Sequence, residues 1–207
     1  MRPLPRVHAY TNAALLADAD LGIRAAAIAA GGPAVALHAR ARGESGAFLA
    51  AAAARLVALA RSPEAATLVS GRSDIAAGVG AQGVQLARGD VKPADARRVM
   101  RHGWIGCSVH SREEATEAVH DGADFLVVGS VYPTASHPGR PPGGLDLVRE
   151  AAGLGIPVIA IGGITPPRAW EVRSAGAYGV AAIGALWGAP DPAAATVALL
   201  EPWMGDL

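Results

Sequence analysis

The chain has 207 residues, of which 51% are hydrophobic and 17% are charged, so we expect a sizeable core and no general disorder. Its 18 basic and 18 acidic residues give a formal net charge of zero, which argues against binding nucleic acid or an anionic membrane through a general electrostatic field. The single cysteine, Cys107, excludes an internal disulfide and a cysteine-based zinc site, and it is typical of a reducing cytosol.

The first residues, MRPLPRVHAYTN, have no long apolar run after their basic side chains, so they lack the pattern of a secretory signal. No segment is apolar over a length that could span a bilayer. We therefore expect a cytoplasmic protein that binds neither membrane nor nucleic acid.

Short apolar runs bounded by glycine or proline alternate with alanine-rich windows along the whole chain. The runs predict eight strands, at 7–11, 34–38, 67–70, 83–86, 104–108, 125–129, 157–163 and 178–184. The windows predict eight helices, at 13–30, 45–61, 73–79, 93–101, 111–121, 144–153, 165–175 and 191–203. Several strands are continuously apolar, as expected for a parallel sheet that is covered by helices.

Eight βα units without a linker or a change in composition predict a (β/α)8 TIM barrel, with residues 1–207 forming one domain. The alternative is an open doubly wound sheet, which would have a G-x-G-x-x-G motif in its first turn. The first turn here reads TNAALLAD and has no glycine. The barrel is therefore the favoured fold.

The active site of such a barrel forms at the carboxyl ends of the strands. Most of the predicted strand ends carry polar side chains. These are Thr11, Asn12, His38, Arg40, Ser70, Arg72, Gln85, Arg88, Asp90, Ser108, His110, Ser130, Thr134, Ser136 and His137.

Glycines mark the ends of the seventh and eighth strands. Gly162 and Gly163 end the run AIGG directly before a predicted helix, and Ile183 and Gly184 end the eighth strand. Exposed backbone amides beside a helix N-terminus can bind a phosphate without a charged side chain. The glycines could instead only permit tight turns. Their occurrence together, where barrels commonly bind phosphate, favours the anion site.

The loop GSVYPTASHPGRPPGG at 129–144 combines prolines with the polar residues Thr134, Ser136 and His137. An imidazole titrates near neutral pH, so a positioned His137 could transfer a proton. An exposed loop histidine can equally have no function. No metal-binding constellation is evident, because Asp90 is a lone carboxylate that could also cap the next helix.

The runs GVQLARGD, GSVYPTASH and IPVIAIGGITPPRAWEVRSAGAYGVAAIGAL resemble the thiamine-phosphate synthase and TenI superfamily. The resemblance extends from about the second strand to the eighth. It implies one of two activities. A synthase joins hydroxymethylpyrimidine diphosphate to a thiazole phosphate with Mg²⁺ and releases diphosphate, whereas a TenI-type enzyme is a tautomerase that acts on a thiazole carboxylate phosphate.

The sequence departs from the synthase pattern at several positions. The second strand of synthases typically ends in Gln-x-Arg-x-Lys, where this chain has Ala36, His38 and Arg40. Gly71 stands where the resemblance implies an aspartate ligand of Mg²⁺, and His137 replaces a lysine. We expect these changes to disable diphosphate release, which needs its charge clamped by metal and cations.

Other family positions are kept. Ser108, Thr134 and Ser136 match the motif, and Asp90 survives although Arg88 replaces a glutamine. A TenI-type thiazole tautomerase in thiamine biosynthesis is therefore the leading hypothesis. Its catalytic candidates are His137 and Ser130, which occupies the position of a histidine in some TenI-type enzymes. Its substrate- or phosphate-binding candidates are Thr134, Ser136, Gly162, Gly163, Ile183, Gly184, His38, Arg40, Arg72, Arg88 and Ser108.

This hypothesis requires a phosphorylated thiazole or a related thiamine precursor as ligand, and no metal or other cofactor. Two alternatives stay open. One is a divergent thiamine-phosphate synthase, with Mg²⁺ at Asp90. The other is a non-catalytic regulator that binds a thiamine precursor. Assembly into a homo-oligomer is also left open.

Overall fold

The structure is a computed structural model, and it describes residues 2–61, 64–134, 139 and 141–206. Eight parallel strands pair in chain order, and β1 pairs with β8 to close the barrel. The strands are β1 (Val7–Tyr10), β2 (Val35–Ala39), β3 (Ala66–Ser70), β4 (Gly83–Leu86), β5 (Trp104–Val109), β6 (Phe125–Val128), β7 (Val158–Ile161) and β8 (Gly179–Ala182). The predicted TIM barrel is confirmed. The assignment of 1–207 to one domain stays a prediction.

Helices cover the outside of the barrel. They are α1 (Ala13–Ala17), α2 (Leu21–Ala29), α3 (Gly46–Ala60), α4 (Ser73–Val79), α5 (Pro93–Val99), α6 (Arg112–His120), α7 (Gly144–Ala152), α8 (Pro166–Ser174), α9 (Gly184–Trp187) and α10 (Pro192–Leu200). Short 3₁₀ helices lie at Gly32–Ala34 and Glu201–Asp206. Within the described residues, no helix is both long enough and apolar enough to cross a membrane.

The helix predicted at 13–30 is two helices, because the chain leaves the helical conformation at Asp18. This residue has φ −67° and ψ 138°, and its carboxylate accepts the Asp20 amide at 2.7 Å. A side chain that bonds its own backbone two residues on competes with helix formation. The sequence also did not predict α9, the single turn that follows β8.

Strand residues alternate between the helix-facing side and the barrel interior. Leu37 and Ala39 belong to the large cluster under the helices, whereas Ala36 belongs to a smaller cluster with Leu68 and Phe125. The second set fills the barrel, as period-2 alternation requires. A Cβ on Gly106 would collide with the Phe125 ring. The barrel interior is therefore packed, and ligand chemistry is confined to its mouth.

Candidate active site

The ends of β1 and β2 are tied together at the mouth. The Thr11 hydroxyl donates to the His38 carbonyl at 2.7 Å and accepts the Arg40 amide at 3.0 Å. This fixes the backbone from which Arg40 extends, and the Arg40 side chain is half-buried. Arg40 is thus the least exposed of the three arginines predicted at the site, since Arg72 and Arg88 are exposed.

His38 lies inside the barrel rather than at its surface, and it is fully buried with His8 and Tyr10. His38 Nε2 and His8 Nδ1 are 2.7 Å apart, and His8 Nε2 lies 3.0 Å from the Pro5 carbonyl. Since a carbonyl only accepts, His8 Nε2 carries a proton and donates to Pro5. His38 Nε2–H then donates to His8 Nδ1, which leaves His38 Nδ1 as an acceptor.

Burial lowers the pKa of His8 to about 4. Burial, followed by the neighbouring His8, lowers the pKa of His38 well below its ordinary value. The Tyr10 ring stacks on the His38 ring at 3.9 Å between centroids. His38 is therefore a neutral residue of the interior at neutral pH, and it supplies no positive charge to a bound phosphate.

A polar network crosses the ends of β3, β4 and β5. Gln85 Nε2 donates to the Ser108 hydroxyl at 2.7 Å and to the Leu86 carbonyl at 2.7 Å, and the Ser70 hydroxyl donates to Gln85 Oε1 at 3.3 Å. Ser70 and Ser108 are half-buried, whereas Gln85 is buried. Gln85 was not among the predicted site residues, although its place at a strand end was visible in the sequence.

Gly71 and Asp90 lie side by side, 19 positions apart in the chain. A Cβ on Gly71 would stand 3.1 Å from Asp90 Oδ2. Asp90 itself is oriented by the Ala87 amide, which donates to Oδ2 at 2.7 Å. The position at which an aspartate was expected is thus directly beside the remaining carboxylate. The described part of the chain has no group of three or more His, Cys, Asp and Glu side chains that could hold a metal ion.

The other two predicted cations are paired with carboxylates. Arg72 holds Asp74 through two bonds of 2.8 and 2.5 Å, and Arg88 lies 3.6 Å from Glu114. A cavity of 260 Å³ lies beside Asp90 and Arg88, and Ser108 also lines it. Since both arginines are exposed, a charged ligand could compete with these surface ion pairs at little cost.

The turn after β7 packs against the segment after β6. Val131 donates its amide to the Ile161 carbonyl at 2.9 Å, and Tyr132 donates to the Gly162 carbonyl at 3.1 Å. Gly162 and Gly163 have φ of +103° and +65°. A Cβ on Gly162 would lie 2.7 Å from Ser130 Cα, and one on Gly163 would lie 2.7 Å from the Pro133 carbonyl oxygen. Both the backbone conformation and the close approach therefore require glycine.

The backbone predicted to bind phosphate lies at this end of the barrel, and its role in binding stays a prediction. Gly184 begins α9 and is exposed, and half-buried Ile183 precedes it. Among the described residues, no hydrogen-bond acceptor receives the amides of Gly163 or Gly184. Ser130 and Thr134 are half-buried in the neighbouring segment. Ser136 and His137 lie outside the described residues.

Comparison with known proteins agrees with this geometry. A model of the family described as thiamine monophosphate synthase (TMP-TENI) matches residues 9–186. The chain is 44% identical over 154 residues to the thiamine-phosphate synthase of Salinispora tropica, covering 72% of this chain and 73% of the relative. It is 42% identical over 153 residues to that of Thermus thermophilus, covering 73% and 74%.

A solved structure extends the likeness over nearly the whole chain. The thiamine phosphate pyrophosphorylase of Pyrococcus furiosus aligns with a TM-score of 0.82 and 33% identity, covering 98% of this chain and 96% of that one. The two sequence relatives are named thiamine-phosphate synthase, and none of the three proteins is named as a tautomerase. The expectation of a TenI-type tautomerase is therefore wrong. The replaced residues have polar neighbours that the chain retains, since Asp90 and Ser108 line one cavity and Arg40 extends from the end of β2.

Proposed function

The chain belongs to the thiamine monophosphate synthase family, and on that premise we propose that it is a thiamine-phosphate synthase. As a transferase, it joins hydroxymethylpyrimidine diphosphate to a thiazole phosphate and releases diphosphate. The observation that carries the proposal is the 42–44% identity to proteins of that name over nearly three quarters of the chain. The two substrates divide the mouth between them.

The thiazole phosphate occupies the side formed by β6, β7 and β8. Its phosphate accepts hydrogen bonds from the backbone amides of Gly163 and Gly184, beside the N-termini of α8 and α9. Ser130 and Thr134 lie on the segment that packs against this turn. Because the tautomerase interpretation is wrong, His137 is not proposed to transfer a proton in a tautomerisation. Its place in the sequence, where the family has a lysine, makes it a candidate contact for the diphosphate instead.

The pyrimidine diphosphate occupies the side formed by β2 to β5. Arg40, Arg72 and Arg88 are the cations proposed to bind it. The diphosphate would replace Asp74 as the partner of Arg72 and Glu114 as the partner of Arg88. Charge-assisted bonds from guanidinium groups to phosphate oxygens are among the strongest in proteins. Because His38 is neutral and buried, it does not share this task.

The family implies Mg²⁺. The residues present fit this ion with one fewer carboxylate ligand than the family pattern has. Mg²⁺ is commonly held by one or two carboxylates together with substrate phosphates. Asp90 is the carboxylate proposed to hold it, with Oδ2 already oriented by the Ala87 amide. When bound there, Mg²⁺ stabilises the negative charge that develops on the departing diphosphate. Ser70, Gln85 and Ser108 fix the polar wall beside this position.

The test is an assay with Mg²⁺, hydroxymethylpyrimidine diphosphate and thiazole phosphate, in which thiamine phosphate and diphosphate are measured together. We expect both products in equal amounts. A folded protein that forms neither above background would refute the proposal. If that protein still bound thiazole phosphate tightly, the non-catalytic regulator would replace it.

A further inference from the structure

The glycine turn after β7 is held by a side chain of α8 as well as by the segment after β6. Arg168 Nη1 donates to the Gly163 carbonyl at 2.6 Å. The Arg168 guanidinium also lies over the Tyr132 ring, 4.4 Å from its centroid. The Tyr132 amide holds the preceding carbonyl, that of Gly162, at 3.1 Å. Both carbonyls of the turn therefore have donors from the protein.

These two bonds also set the direction of the amides. In a planar trans peptide, the N–H points away from the C=O of the same peptide. Holding the Gly162 carbonyl on Tyr132 turns the Gly163 amide away from Tyr132. Holding the Gly163 carbonyl on Arg168 turns the Ile164 amide away from Arg168. In the ranges that the structure describes, neither amide donates to a protein acceptor, so both are available to an anion.

Tyr132 is itself fixed by α8. Its hydroxyl donates to Glu171 Oε2 at 2.8 Å, and Glu171 follows Arg168 by three residues on the same helix. Burial, followed by this bond to Glu171, raises the pKa of Tyr132 to about 12, so the hydroxyl stays a donor at neutral pH. The ring is thereby held as a flat support for the guanidinium, an arrangement that a lysine cannot reproduce.

We propose that Arg168 is a positioning residue for the phosphate of the thiazole substrate. It orients the Gly163–Ile164 peptide so that the Ile164 amide faces the ligand. The Gly163 amide belongs to the preceding peptide, which Tyr132 orients through the Gly162 carbonyl, and Tyr132 and Glu171 hold Arg168 in place. This inference rests on the proposed function and deepens it. It assigns the orientation of the anion-binding turn to a side chain that need not touch the phosphate.

The experiment measures binding of thiazole phosphate, and of the dephosphorylated thiazole alcohol, to wild type, Arg168→Met and Arg168→Lys. The matched control is Arg173→Met, which removes an arginine of the same helix that pairs with Asp206. We expect Arg168→Met to weaken binding of the phosphate about tenfold, the usual effect of one charge-assisted hydrogen bond. Arg168→Lys should lose about threefold, since it keeps a donor but not the stacked plane.

The alcohol, which lacks the phosphate, should bind equally to all four proteins, and the control should match wild type throughout. In turnover, only the KM for thiazole phosphate should rise, with kcat and the KM for the pyrimidine diphosphate nearly unchanged. Unchanged binding of thiazole phosphate in folded Arg168→Met would overturn this inference but not the proposed function. If Arg168→Met does not fold, unchanged binding in Arg168→Lys would have the same meaning. Equal loss for the alcohol would do the same, because it would show a merely structural role. A wild type that binds no thiazole phosphate would overturn the proposed function as well.

Discussion

The two sides of the barrel mouth are built from different parts of the chain. The side at β6 to β8 is built from backbone, with Gly162 and Gly163 packed against the 130–133 segment. The side at β2 to β5 is built from side chains, with Arg40, Ser108 and Asp90 supplying the polar groups. A backbone site keeps its function only if its glycines are kept. A site built from side chains can lose one polar group, because the remaining groups can still bind the same charged ligand.

The largest expected effect is on the backbone side. Gly163→Val should abolish binding of thiazole phosphate, because its Cβ would lie 2.7 Å from the Pro133 oxygen and 2.8 Å from Tyr132 Cβ. Calorimetry on the folded variant measures this. The matched control is Gly155→Val, since Gly155 has φ +81° and nothing within 4 Å of the added Cβ. This control carries the backbone strain of a side chain at positive φ, about 1–3 kcal/mol, without the steric collision. Equal binding loss in both variants would contradict the role of close packing.

A smaller effect is expected on the side-chain side. Asp90→Asn should lower kcat about 100-fold, because a bound metal contributes several kcal/mol of charge stabilisation and Asp90 is the carboxylate proposed to hold it. Initial rates at saturating Mg²⁺ and both substrates measure this. Binding of thiazole phosphate alone should not change. A full rate in Asp90→Asn would remove Asp90 from the Mg²⁺ site.

Gly71→Asp tests whether the missing carboxylate can be restored. An aspartate is tolerated at the φ of +75° found there better than most residues, and its Cβ would stand 3.1 Å from Asp90 Oδ2. We expect Mg²⁺ to bind about tenfold more tightly in the presence of diphosphate. Without Mg²⁺, the two like charges should lower the melting temperature. Gly71→Asn is the uncharged control, and an equal response of the two variants to Mg²⁺ would show that charge is not the cause.

A smaller effect still is expected from His8 and His38, which are buried in the barrel interior. The pKa of His8 is about 4 and that of His38 is also lowered in the folded chain, against about 6.5 unfolded. The unfolded chain therefore binds more protons between about pH 4 and 6.5. The free energy of unfolding should fall with decreasing pH there, by up to about 1.4 kcal/mol per pH unit for each imidazole, and should not respond to these groups above pH 7.

Denaturant unfolding from pH 4.5 to 7.5 measures this slope. The double variant His8→Phe/His38→Leu should flatten the curve, whereas His102→Gln, which changes an exposed histidine, should leave it as in wild type. An unchanged slope in the double variant would place the acid sensitivity elsewhere.

The barrel could be predicted from the sequence because its signals are local. The apolar runs, the glycines and prolines that bound them and the absence of a first-turn glycine can each be seen within a few residues. The pairing of His38 with His8 and of Gly71 with Asp90 could not be predicted from the sequence, since each pair joins residues of different strands or loops. For the same reason the replaced residues do not decide the activity, because the sequence does not show which side chains lie beside them in space. Asp18 split a helix for a local reason, and that signal could have been found.

The most direct test of this division is a two-substrate steady-state measurement on wild type, Gly184→Ala and Asp90→Asn. An added Cβ at Gly184 meets nothing within 4 Å in the protein, so this variant should fold normally and place a methyl group in the proposed phosphate site. We expect thiamine phosphate from wild type, a raised KM for thiazole phosphate alone in Gly184→Ala, and a lowered kcat with an unchanged KM for thiazole phosphate in Asp90→Asn. Absence of product, or the same kinetic defect in both variants, would contradict a synthase whose two substrates divide the mouth in this way.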